Sequence, residues 1–369
     1  MSEFRVLYTG DYLDIDGRVA VNGGDIALDL YESAPWISQE FLRDQQQRLG
    51  DDAYWANLYS MEISPRHVSE ADGIVIFRPW VKAAAFAEGS RNLTVIGRAG
   101  AGCDKIDMAA CTAADVAVFN APDTLTHSTA SSAFLMIIAL AKKLPQQQRM
   151  VREGRWDLQP QMMGDDLPGM TLGIVGLGKS GVELVRLVAP FKMRVIAYSP
   201  SADRAEAATL GVTLVDSLEQ LIADSDFVSL HARLSDDKRG MIKREHLRAM
   251  KPSAYFINVA RGELVDEPEL VKILQERKIA GAGLDVFERE PLPVDHPLNA
   301  LDNVILTPHW LPSTRQAARQ TMETMSNGMI AASTGEIPAN VVNKEVLQRP
   351  RFQDKLARYA ENRRKSVAV

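Results

Sequence analysis

Leu172-Gly173-Ile174-Val175-Gly176-Leu177-Gly178-Lys179-Ser180-Gly181 reads as an apolar strand running into a glycine-spaced turn, and Val182 to Ala189 continue it as a helical pattern. Flanked by a strand and a helix, this spacing is that of a phosphate loop for a dinucleotide. Gly176 permits the tight turn, Gly178 omits the Cβ that would block a pyrophosphate, and Gly181 lets the helix pack close to the strand. The helix start then offers unpaired N–H groups to the phosphates.

Outward from this loop, short β-branched runs alternate with helical patterns, which predicts parallel sheets. Beyond 172–175 they fall at 194–198, 212–215, 226–230, 254–259, 282–286 and 304–306, enough for a complete doubly wound sheet. An earlier series falls at 6–8, 73–77, 94–98 and 117–120, and a long apolar helix pattern spans Thr129 to Lys143. With 369 residues and about 150 per domain, two domains are expected. Because the middle series is self-sufficient, residues 1–121 and 310–343 are expected to form one discontinuous domain around a dinucleotide-binding domain at 122–309. The site is expected in the cleft between them. Residues 344–369 carry eight basic side chains against Glu345, Asp354 and Glu361 and read as a solvated helix face, or else as contact with a partner subunit.

Composition narrows the function classes. A net charge of −6 offers no field for nucleic acid. Two cysteines, Cys103 and Cys111, make no disulfide framework, and the histidines show no metal-ligand spacing, so no metal is expected. The start Met-Ser-Glu-Phe has no basic leader, and the longest apolar run, Ala133 to Ala141, is half a bilayer span, which predicts a cytoplasmic protein with no membrane contact.

Three polar residues follow strands on the edge where open α/β sheets carry ligand: Arg261, Glu290 and His309. Hydride transfer to a 2-oxo acid needs a cation for the carboxylate, a proton donor for the carbonyl oxygen and a group that poises the donor. Arg261, His309 and Glu290 supply one of each. The expected dinucleotide contacts of the loop and the second strand are Gly176, Gly178, Lys179, Ser180 and Gly181, then Ser199, Pro200, Ser201 and Arg204. Where an NAD site carries an acidic residue after the second strand, this chain has Ser199. Ser199, Ser201 and Arg204 suit a 2′-phosphate, which favours NADP(H), whereas Asp203 swinging back would restore an NAD site.

With these residues placed, the sequence resembles the D-isomer-specific 2-hydroxyacid dehydrogenase family over roughly Gly73 to Asn343. The segments that carry the resemblance are Met250 to Asp266 around Arg261, Gly283 to Pro291 around Glu290, and Thr307-Pro308-His309. The resemblance implies a Rossmann cofactor domain with a flavodoxin-like substrate domain, a homodimer, and NAD or NADP as cofactor. It also implies dinucleotide contacts at His231, Ala232, Val259, Ala260 and His309, with Asp285 meeting the nicotinamide amide; the amides of Ala101 and Gly102 in Arg98 to Asp107 would bind the substrate carboxylate, and Arg78 would take its distal end. Departures are Ser199, Ser131-Ser132 in place of Glu-His, and Trp310, which either narrows the substrate pocket or fills the core. The expected activity is hydride exchange between NAD(P) and a small D-2-hydroxy or 2-oxo acid such as glyoxylate or hydroxypyruvate. The alternatives are a phosphoglycerate dehydrogenase-type activity, for which the stretch after Asn343 is short of a regulatory domain, and a non-catalytic dinucleotide-sensing corepressor-like protein. The first seventy residues match no subgroup.

Overall fold

The structure, a computed structural model, describes residues 3–12, 18–19, 30–42 and 61–367, the last six without their side chains. Half of the unmatched first seventy residues therefore lie outside the description. The chain divides into two compact units, residues 1–125 with 314–369, and residues 126–313.

Among the described residues of the first unit five parallel strands stand in the order β2-β1-β3-β4-β5: β1 Phe4–Tyr8, β2 Ile37–Phe41, β3 Gly73–Ile76, β4 Val95–Arg98 and β5 Ala117–Asn120. This 2-1-3-4-5 order is the flavodoxin-like one. β3 to β5 are almost wholly buried apolar runs, as central parallel strands must be with both faces covered. β2, Ile-Ser-Gln-Glu-Phe, is half exposed at the edge and has no counterpart among the expected strands, because its middle is polar. The helix Arg315–Ser333, capped by the Thr314 side chain, lays Met322, Met325 and Met329 on the core that Phe4 and Phe119 share.

The second unit holds seven parallel strands in the order β12-β11-β10-β9-β6-β7-β8: β6 Thr171–Val175, β7 Arg194–Tyr198, β8 Val212–Leu214, β9 Phe227–Leu230, β10 Tyr255–Asn258, β11 Gly281–Leu284 and β12 Val304–Leu306. Winding reverses between β6 and β9, so the crevice beyond their carboxyl ends is the topological switch point. The apolar helix, Thr126–Ala141, buries Ala130, Ala133, Met136, Ile137 and Leu140 in this unit's own core and leaves Leu135 53% exposed. Its own unit thus accounts for most of its apolar composition. Among the described residues no helix is long and apolar enough to cross a membrane, and no group of histidine, cysteine and carboxylate side chains is arranged to hold a metal.

The basic tail departs from a merely solvated face. Its helix, Pro350–Val367, places Phe352, Leu356 and Tyr359 in the core of the first unit. The Lys355 ammonium donates to the carbonyls of Leu93 (2.8 Å) and Asp115 (2.9 Å), and burial pulls its pKa down to about 8. Tyr359 Oη donates to Asp72 Oδ1 at 2.5 Å while the Arg5 amide donates to Asp72 Oδ2 at 2.8 Å, tying the tail to the start of the sheet. The charges were legible in sequence; the apolar face at 352, 356 and 359 was hidden among them. Tyr359→Phe removes one donor from a buried carboxylate and is expected to cost about 1–3 kcal/mol, read as a lower urea midpoint at unchanged slope.

Candidate active site

Arg261, Glu290 and His309 follow three neighbouring strands, β10, β11 and β12, whose last paired residues, Asn258, Leu284 and Leu306, stand in register. Strands about 4.8 Å apart deliver side chains distant in sequence to one edge. Glu290 Oε2 lies 2.8 Å and Oε1 3.0 Å from His309 Nδ1. Burial by itself would raise the Glu290 carboxyl; the hydrogen bond and charge of His309, the Phe287 amide and the Arg261 guanidinium outweigh it and hold the group below its usual value. The carboxylate therefore stays ionised and fixes Nδ1 as the protonated nitrogen, leaving Nε2 to exchange a proton. Arg261 Nη1 donates to the Ala260 carbonyl at 2.7 Å.

Several groups to which sequence reading gave no positioning role hold these three in place. Asp285, 1% exposed, accepts on Oδ1 from Thr307 Oγ1 (2.6 Å) and from the Trp310 and Leu311 amides (3.1 Å each), so it folds the loop that carries His309. His309 itself takes a left-handed backbone, φ 51°. Asn258 donates to the Arg261 carbonyl (2.9 Å) and accepts the Ala260 amide (3.0 Å), setting the turn at Arg261. Gly262 lies so close to the loop before Glu290 that an added Cβ would fall 1.9 Å from the Phe287 carbonyl carbon. Glu267 accepts the Glu288 amide at 3.0 Å and steadies the same loop. No local pattern marks the roles of Asp285, Gly262 and Glu267, since each depends on a partner about 20 or more residues away, whereas Asn258 acts within its own turn.

The expected dinucleotide contacts lie along the same carboxyl edge. Gly176 has φ 96°, and a Cβ there would fall 2.7 Å from the Ala232 amide nitrogen; a Cβ on Gly181 would meet the Gly176 carbonyl at 2.6 Å. Gly178, by contrast, faces open space, and the helix Lys179–Val188 starts at it with no side-chain cap. Ser180 Oγ lies 3.0 Å from His231 Nδ1, and His231 Nε2 lies 3.0 Å from Ser229 Oγ. With both ring nitrogens engaged and its pKa pushed by burial to about 4, His231 is a neutral brace behind the loop. Ser199, Pro200 and Ser201 follow β7, and Val259 and Ala260 follow β10. Arg204 is turned to the Leu214 carbonyl and pairs with Asp216, and Asp203 caps the next helix through the Glu206 amide.

A nicotinamide dinucleotide fits this edge. The space before Gly178 is a cradle that a Cβ would fill, and Asp285 Oδ2 is buried with no hydrogen-bond partner, an acceptor suited to a carboxamide N–H.

In the first unit, Arg78 follows β3. Asp11 accepts its amide at 2.9 Å and lies 3.7 Å from Nη1, and the guanidinium stands 4.7 Å from the Phe77 ring centroid. Arg98, on the far side in sequence, stands 5.8 Å from the same ring. The loop after β4 is held where Asn120 Nδ2 donates to the Ala101 carbonyl at 2.7 Å, with Gly102 next to it.

Gly262→Ala tests the close approach at Phe287. It is expected to displace the loop bearing Glu290 and to lower turnover at least about 100-fold by misplacing the acid–base pair, while dinucleotide binding, read by nucleotide fluorescence, changes far less.

The model of the D-isomer specific 2-hydroxyacid dehydrogenase NAD binding domain matches residues 134–310. The glyoxylate reductase of Korarchaeum cryptofilum is 39% identical over 292 residues, covering 78% of this chain and 88% of that protein. The D-3-phosphoglycerate dehydrogenase of Methanocaldococcus jannaschii is 39% identical over 276 residues, 75% of this chain and 52% of that longer protein. Among solved structures, the TT0316 protein from Thermus thermophilus has a TM-score of 0.75 at 29% identity, covering 92% of this chain and 100% of that one. Taken with the phosphate loop and the Arg261, Glu290 and His309 edge, these likenesses settle the kinship: the chain belongs to the D-isomer specific 2-hydroxyacid dehydrogenase family and is an NAD(P)-dependent oxidoreductase.

Proposed function

We propose that the chain reduces a small 2-oxo acid of the glyoxylate or hydroxypyruvate class to the D-2-hydroxy acid. The observation that carries this is the His309–Glu290 pair at 2.8 Å, with the Arg261 charge acting on the same carboxylate. Support for the substrate class comes from the relative that covers most of its own length with this chain, which is named a glyoxylate reductase. The phosphoglycerate dehydrogenase relative shares only 52% of its length and supports the phosphorylated acid less well.

In this reading Arg261 grips the substrate carboxylate through two parallel hydrogen bonds and fixes the carbonyl carbon. His309 Nε2 gives its proton to the carbonyl oxygen as that oxygen becomes an alcohol, and Glu290 stabilises the imidazolium that does so. A bound reduced nicotinamide dinucleotide supplies the hydride. Asp285, Gly178 and the start of the helix at Lys179 hold it, with Val259 and Ala260 lining its path. In the oxidative direction His309 takes the proton. In the first unit, the Ala101 and Gly102 amides and Arg78 are proposed to serve the acid. We further propose a cytoplasmic homodimer, consistent with exposed Leu144, Val151 and Trp156 on successive segments of the second unit.

The test is loss of NADH or NADPH absorbance with glyoxylate, hydroxypyruvate and 3-phosphohydroxypyruvate. Turnover of the first two with His309→Gln reduced by about 10²–10⁴ and dinucleotide binding retained is the expected result. Full turnover in His309→Gln overturns the proton-donor role, and turnover of the phosphorylated acid alone overturns the substrate class.

The pH dependence has a definite sign. Glu290 is depressed in the folded chain, so its charge, and the stability it lends the pair, is complete above the ordinary value of 4.5 and is lost only as pH falls through the lower folded value. Hence Glu290 titration is expected to leave no step in the rate profile at neutral pH, and Glu290→Gln is expected to depress the reduction rate throughout that range.

A further inference from the structure

The ion pair between Arg204 and Asp216 occupies the flank of the proposed dinucleotide site. Arg204 opens the helix after β7, and Asp216 follows β8, the edge strand. Ala197 of β7 pairs with Leu214 of β8, so Ser199 and Asp216 each stand two residues past that pair, at the carboxyl end where β7 meets its neighbour. Arg204 Nη1 donates to the Leu214 carbonyl at 3.1 Å and Nη2 donates to the Asp216 carboxylate. Both side chains are well exposed, 65% for Arg204 and 86% for Asp216.

Two facts give this pair a consequence. The residue after β7 that would bind ribose hydroxyls is Ser199, and the nearby acid, Asp203, spends its carboxylate on the Glu206 amide at 2.8 Å. The strongest polar group left beside Ser199 and Ser201 is thus a guanidinium already held by a surface carboxylate. An exposed pair of this kind contributes little and exchanges partners readily. A phosphate monoester accepts a guanidinium through two charge-assisted hydrogen bonds and outcompetes one exposed carboxylate.

We propose that Asp216 sets dinucleotide selectivity by competing with a 2′-phosphate for Arg204. A dinucleotide with a free 2′-hydroxyl leaves the pair intact, and its affinity is indifferent to Asp216. A 2′-phosphorylated dinucleotide draws the guanidinium away from Asp216 and onto the phosphate, so its affinity carries the cost of parting the pair. Asp216 is a specificity-determining residue, and its effect is exerted wholly through Arg204. This inference rests on the dinucleotide site described above.

The test is fluorescence titration of the full chain with NADPH and with NADH, which reads binding without turnover. Asp216→Asn is expected to tighten NADPH about threefold and to leave NADH unchanged. Arg204→Gln is expected to weaken NADPH about tenfold, again without effect on NADH. In the double variant the Asp216→Asn gain must disappear, because no guanidinium remains to release. An unchanged NADPH-to-NADH ratio in Asp216→Asn overturns the proposal. So does a gain that persists without Arg204, which marks simple removal of negative charge. If the unaltered chain binds neither dinucleotide, the site itself is refuted, an outcome distinct from selectivity that ignores Asp216.

Discussion

One buried carboxylate oxygen, Asp285 Oδ1, governs the geometry of the catalytic edge. It gathers three donors, the Thr307 hydroxyl and the Trp310 and Leu311 amides, and so bends the segment after β12 back over the end of β11. Holding His309 between those donors in a left-handed conformation costs about 1–3 kcal/mol of backbone strain, which the three bonds to a charged acceptor offset. Glu290 comes from the segment directly after Asp285, so the imidazole and its acid hang from a single strand end. Their 2.8 Å separation then needs only the loop that carries Glu290 to be held, which Gly262 and Glu267 do.

Arg261 is placed by a different device. Asn258, the last residue of β10, closes its side chain on both the Ala260 amide and the Arg261 carbonyl, so the turn is set before the guanidinium is considered. Gly262 then lets the β10 and β11 loops touch at backbone distance. The three functional side chains are long, yet their origins are fixed by backbone, amide and carboxylate contacts at three adjacent strand ends. Pre-organisation of this kind matters because a proton donor and a carboxylate clamp act only when both meet the same small substrate.

The sequence marked the strand ends at which the chemistry is proposed but not how they are held. Apolar runs bounded by turns were readable for eleven of the twelve strands among the described residues because central parallel strands are buried on both faces. β2 escaped because an edge strand keeps its polar middle in water. Arg261, Glu290 and His309 were legible since each stands just past such a run, and Gly176, Gly178 and Gly181 since a strand and helix frame them. Asp285 was expected to face the nicotinamide, and its second task as anchor of the His309 loop was hidden, because that depends on amides about 25 residues away. Arg204 was readable as a cation near Ser199, but its engagement with Asp216 depends on the register of β7 and β8, which one sequence does not reveal. The tail misled for a related reason: eight basic residues dominate its composition, while Phe352, Leu356 and Tyr359 decide its packing.

Two acid–cation pairs on one sheet edge show how burial assigns different duties to the same chemistry. Glu290 and His309 are largely screened from water, 19% and 35% exposed in their side chains, and their neighbours confine each to one partner. Separating them would strand a charge in a site of low dielectric, so the pair is held as one unit, and the proposed proton transfer needs no movement of that frame. Arg204 and Asp216 stand in solvent, where water replaces either partner at little cost. A pair so exposed adds little rigidity but leaves a guanidinium available to a better acceptor. On the proposed reading chemistry therefore falls to the sheltered pair at the ends of β11 and β12, and discrimination to the exposed one at the ends of β7 and β8.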